Sequence, residues 1–214
     1  DHGTLLGAIR DGGFIPWEHD IDLGSWRDAT TDDTKEKVAQ DLRAKGYRVL
    51  VMPTHMNMRK GDRIWADIEF YQNEGGNATV HVLIPANKIG RWLGYARTIL
   101  MSPHFYGIEK SESIFKHYLL VVLNALCGAI PAKCRACIIG VIEPLCRVAG
   151  YKYWSIPSGY FKAFEVIEFC GEQFKVPANP VAYLEFRYGQ DWQIPNRKWR
   201  TIDDKGVTWQ KEHS

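Results

Sequence analysis

The chain has 214 residues, of which 45% are hydrophobic and 24% charged, with 27 Lys and Arg against 25 Asp and Glu for a net charge of +2. A globular protein of this size buries roughly 70% of its unfolded surface without disulfide staples, which excludes global disorder, collagen and coiled coil. The balanced charge points to no nucleic-acid partner.

Residues 3–17, GTLLGAIRDGGFIPW, predict a helix from the Gly3-Thr4 turn to about Arg10, broken at Gly12-Gly13. Free backbone N–H groups at a helix start bind phosphate, and a threonine hydroxyl adds a donor. Arg10, about two turns on, is expected to reach the same phosphates bidentately. Residues 17–24, WEHDIDLG, read as a strand. Its period places Asp20 and Asp22 on one face, with Glu18 beside them, and turns Ile21 and Leu23 to the core.

Residues 31–46 predict a helix capped by Thr31 or Asp32 and closed at Gly46, with Val38 and Leu42 on its inner face. A strand at 47–52, a hairpin over 56–72 turning at Gly61-Asp62, and a strand at 79–85 after Gly75-Gly76 follow. These 85 residues read as helix on a mostly antiparallel or mixed sheet. Arg59, Lys60 and Arg63 read as a solvated hairpin tip.

Residues 111–149 hold two apolar helical runs split by Pro131. Neither has about 18 uninterrupted apolar residues, the length of a spanning helix. A buried helical hairpin is the first reading. The second is a helix pair lying on a membrane, with Lys116, Lys133, Arg135 and Arg147 toward anionic lipid. Four of the five cysteines fall here, Cys127, Cys134, Cys137 and Cys146, with Cys170 beyond. They are expected to be buried thiols on helices, because the Cys134–Cys137 pair lacks the second half of a zinc site. Asn179-Pro180 opens a short helix closed at Gly189. Trp192, Trp199 and Trp209 suit either aromatic packing or stacking on sugars. The expected organisation is a catalytic core over 1–110, an apolar helical segment over 111–150, and a segment over 151–214 that packs back on the core. The chain opens on Asp directly before a motif, which predicts that the natural start lies upstream.

The chemistry concentrates in the acidic strand. Two carboxylates side by side on a partly buried strand repel and are costly to desolvate unless a cation cancels them. Magnesium favours such oxygens together with substrate phosphates. A second acidic strand, IWADIEFY at 64–71, sets Asp67 and Glu69 on one face and Ile64, Ala66, Ile68 and Phe70 on the other. If it lies beside the first, Asp67 completes a three-carboxylate cluster able to hold two cations or to accept a hydroxyl proton. The alternative is solvated acids on an open sheet face.

GTLLGAIRDGGFIPWEHDIDLG resembles the signature of the LicD family, which includes fukutin and the fukutin-related protein. ADIEFY is similar to that family's third-acid strand, and FKVPANPVAYLEFRYGQDWQIP to its closing region. Glu18 stands where the family pattern has Asp. The resemblance implies an α+β fold of the nucleotidyltransferase (DNA polymerase beta-like) type: a mixed sheet with flanking helices, here with a helical insertion. It implies a phosphotransferase that moves a phospho-alcohol, phosphocholine or ribitol phosphate, from a CDP-activated donor to a glycan hydroxyl, as in lipopolysaccharide, teichoic acid or protein-linked glycan modification. Carried over by position, Asp20, Asp22 and Asp67 would hold Mg2+ or Mn2+ and carry catalysis, while Gly3, Thr4 and Arg10 would bind the donor. The expected partners are the CDP-alcohol and the glycan, with peripheral membrane contact and no nucleic acid. The compartment would be the cytoplasm, membrane-associated, or the Golgi lumen in a eukaryote. Nucleotidyl transfer to a small molecule, and an inactive membrane-associated scaffold, are the alternatives.

Overall fold

The computed structural model describes residues 1–61, 64–85, 87–103, 114–148 and 151–209. Asp62 and Arg63, and the side chains of Ile64, Lys116, Arg147 and Trp209, lie outside the described residues.

A seven-stranded mixed sheet organises the chain. Helix α1 (His2–Arg10) leads into β1 (Asp20–Trp26), and α2 (Asp32–Ala44) into β2 (Arg48–Val51). Strands β3 (His55–Lys60), β4 (Ile64–Glu74) and β5 (Asn77–Pro85) then run antiparallel to one another in succession. β2 pairs β3 at one edge. β4 is long enough to have two partners in turn on its other side. Trp65–Tyr71 pairs in parallel with β1, and Gln72–Glu74 pairs with β5. Helices α3 (Lys88–Met101), α4 (Ile114–Ala129) and α5 (Ala132–Val148) follow, and β6 (Tyr151–Pro157) returns to β5. A separate hairpin, β7 (Phe164–Phe169) and β8 (Glu172–Pro177), precedes α6 (Pro180–Tyr188), and β9 (Val207–Trp209) closes on β6.

Alternation along β3 and β4 gives the sheet two different faces. Met56, Met58 and Phe70 pack with Ala39 of α2 in one core. On the opposite side Leu5 and Leu6 of α1 join Ile15, Tyr71, Val80, Ile156, Tyr183 and Leu184 in a larger one. The Asp–Asp face of β1 belongs to this second side, between the core and solvent.

Three expectations are corrected. Val38 of α2 is exposed, and the inner stripe is Lys35, Ala39 and Leu42. Lys35 serves there because its stem buries like an apolar chain, with its ammonium 4.6 Å from the Phe70 ring and 3.0 Å from Asp32. Arg59 is not solvated: it is buried, with its guanidinium 4.3 Å from the Trp65 ring. The α4–α5 pair is not buried, since much of its apolar surface faces outward. Its thiols follow, with Cys134 and Cys137 exposed, Cys127 half-buried and Cys146 buried; Cys170, outside the pair, is exposed.

Candidate active site

The parallel seam between β1 and β4 fixes the acids. Asp22 is the register partner of Asp67, and Asp20 that of Trp65. Neighbouring strands lie about 4.8 Å apart, so Asp22 and Asp67 project side by side, with Asp20 two residues along the same face. On the far side of β4, Asn57 pairs with Asp67 and His55 with Glu69. All of these side chains except Trp65 border one cavity of about 1120 Å³.

Asp67 is the most firmly held of the three. One carboxylate oxygen accepts from the Asn57 amide, and the other accepts from the Trp65 indole N–H at 2.6 Å. Burial pushes its carboxyl up to about 6, with Asp20 and Glu69 adding to the rise and the two hydrogen bonds opposing it. Burial likewise pushes Asp22 up to about 6, helped by Asp20 and Glu69 and opposed by His2. Glu18 is raised by burial and by Asp20. None of these three forms an ion pair with a described Lys or Arg. Clustered, desolvated carboxylates facing open volume are the donor set that a hard divalent cation fits.

Behind them lies a second, self-neutralised cluster. The donor atoms of Asp1, His2 and Glu69 lie within 4.8 Å of one another. Their oxygens are already engaged. Asp1 accepts from Tyr71 and Tyr183 hydroxyls at 2.7 Å and from Arg187 at 2.9 Å. Glu69 accepts from His2 Nε2 at 2.7 Å and Tyr71 at 3.1 Å. Burial would raise Glu69, but His2, Arg187 and Tyr71 together hold it below the usual range. Arg187, fully buried and also bonded to Asp204, supplies the positive charge that a metal would otherwise bring. This cluster therefore anchors the back of the site, whereas the Asp20–Asp22–Asp67 face is the one open to a ligand.

The residues expected to bind donor phosphates separate. Gly3 borders the cavity, and a Cβ there would stand 3.5 Å from the Glu18 carboxyl carbon. Thr4 does not border it; its hydroxyl accepts the Asp22 backbone N–H at 2.9 Å, tying α1 to β1. Arg10 does not border it either: its guanidinium donates to Asp11 at 2.7 and 2.8 Å. An acid one residue away outcompetes a distant phosphate subsite.

Other walls come from outside the two acidic strands. Trp17 carries the Arg197 guanidinium 4.8 Å from its ring. Arg97 of α3 pairs with Glu143 of α5 at 2.5 Å. Trp154, Tyr188 and Trp192 add aromatic surface, and Trp199 borders the same space against Tyr188 at 4.8 Å. Trp17 lies in the quoted signature and Tyr188 and Trp192 in the closing region, and the aromatic content of the tail was the signal for Trp199; nothing in the sequence pointed to Arg97 or Glu143.

Residues 1–89 match the family described as LicD/FKTN/FKRP, nucleotidyltransferase domain. No curated protein matches the chain.

Proposed function

We propose that this chain, whose residues 1–89 belong to the LicD family, transfers a phospho-alcohol from a CDP-activated donor to a hydroxyl of a glycan. The observation that carries the reading is the Asp22–Asp67 pairing across the parallel seam, facing a cavity large enough for a nucleotide donor and an acceptor. Asp20, Asp22 and Asp67 are the residues that would hold Mg2+ or Mn2+. Bound there, the cation would offset the charge of the donor pyrophosphate.

The chain's own side chains supply the rest. The acceptor oxygen attacks the phosphorus that bears the alcohol; a new P–O bond forms as the bridging P–O bond breaks, and CMP leaves with that electron pair. The hydroxyl proton passes to a carboxylate. Asp67 is suited to take it, because it faces the cavity and its two hydrogen bonds fix its aim. Arg197 over Trp17 offers a cation on the cavity wall for the donor's phosphates, in the role first assigned to Arg10. Gly3 leaves the wall beside Glu18 low.

The experiment is incubation with a panel of CDP-alcohols, a glycan acceptor and magnesium, with detection of CMP and of the labelled glycan. CMP should form in step with acceptor modification, and Asp22→Asn should lower the rate about a thousandfold, the several kcal/mol a bound cation contributes. Nucleotide left on the acceptor would replace this reading with nucleotidyl transfer. Full turnover by Asp22→Asn would end both.

A further inference from the structure

Helix α4 is built inside out. Its amide residue, Asn124, is 6% exposed, whereas Val122 and Leu126 are 53% and 60% exposed. Helix α5 repeats the arrangement: Val141 is 68% exposed while Glu143 turns inward to Arg97. A helix at a water boundary shows the opposite order, with its apolar stripe inward. An apolar exterior around a polar contact suits hydrocarbon outside.

Among the described residues, neither helix alone is long and apolar enough to cross a bilayer. With 16 and 17 residues, each is about 25 Å long, short of the roughly 30 Å hydrocarbon core. The two apolar stretches are bent by 117° where they meet. So sharp a bend divides the apolar run into two arms, each too short to span by itself. The neighbouring exposed side chains are Trp92 and Tyr95 of α3 and Tyr118 of α4, the residue types that settle at headgroup level.

Charge identifies the surface. Residues 87–148 hold eight Lys and Arg against three Glu, while the remainder of the chain is net acidic. Lys88, Arg91 and Lys133 are exposed. Arg135 is spent internally, donating to the carbonyl of Ile130 at 2.7 Å at the end of α4. A second copy of this chain would bring the same positive rim to a two-fold contact, like charge against like. An anionic bilayer complements both the apolar face and its rim.

We propose that the outer face of α3, α4 and α5 docks on an anionic membrane surface, its helices lying in the interface plane. This stands apart from the chemistry assigned to the cavity. The test is flotation of the full chain with phosphatidylcholine vesicles, with and without phosphatidylglycerol. The protein should float with the anionic vesicles and far less with the neutral ones. Val122→Glu with Leu126→Glu should lower binding about tenfold or more. Lys133→Gln should lower it about fivefold at low salt. Val122→Ser with Leu126→Ser, melting as the parent does, guards against misfolding and should also bind more weakly. A parent chain that stays unbound, or glutamate variants that float as it does, overturns the proposal. So does a parent dimer, dissociated by the same glutamates, that ignores vesicles.

Discussion

Asp22 and Asp67 have folded-state values near 6 against an ordinary 3.8, with burial the leading cause. Between those values the folded chain holds protons that the unfolded chain has released, so the stability of the metal-free protein falls as pH rises from about 4 to about 7. Asp22→Asn should therefore raise the Tm of metal-free protein at about pH 7.5, with the difference closing near pH 4.5. Magnesium should raise the Tm of the parent and not of the variant. That gain should shrink as pH falls below about 6, where the ligands protonate. Thermal melts across pH, with and without magnesium, check all three; a parent indifferent to magnesium would remove the cation from the site. The three acids were legible because strand period is local: two residues apart means one face. Arg187, Asp204 and His2 were not. Their bonds join positions as far as 186 apart in sequence, and no pattern announces such a pairing. Nor was the partner of Arg10: spacing along a helix says nothing of the neighbouring acid at Asp11 that its guanidinium meets.

At the scale of elements, α1 sits where it does because Gly7 has no side chain. A Cβ at that position would lie 2.5 Å from the Gly13 carbonyl oxygen and 3.1 Å from Ile15. Gly7→Ala gains about 1 kcal/mol of helix propensity and loses about 2–3 kcal/mol to overpacking. The net loss of about 1–2 kcal/mol should lower Tm by about 2–8 °C, which calorimetry would measure. Since Thr4 of the same helix holds the Asp22 backbone, activity should fall with it. The helix and strand boundaries were readable from caps and turns: Thr31 caps α2 through the Thr34 N–H, and Gly75-Gly76 turns β4 into β5. Which helical face would be buried was less readable. Val38 lost its place to the stem of Lys35, and the α4–α5 runs kept apolar residues on the outside, because composition alone does not say what a helix packs against.

Across the whole molecule, the family match ends at residue 89, while the site does not. Tyr183 and Arg187 from α6 bond Asp1, and Asp204 completes the charge on Arg187. β6 and β9 extend the same sheet that β1 and β4 share. A fragment of residues 1–89 would leave Asp1 and Glu69 without their buried cation and Leu5 and Leu6 without Tyr183 and Leu184. Expressed alone, it should show no cooperative thermal transition, whereas the full chain should; a sharp melt of the fragment would make the closing region dispensable. The closing region's sequence resemblance hinted at this role, but the bonds of Tyr183, Arg187 and Asp204 that perform it are long-range and leave no local pattern.

The β1–β4 seam has a consequence for how such a chain can diverge. Shifting β1 by a single position against β4 would swing Asp20 and Asp22 to the α2 side, away from Asp67, and bring apolar Ile21 and Leu23 up to the cavity. Inserted or deleted residues inside either strand are thus barred outright, and variation there must come by exchange of side chains at constant length.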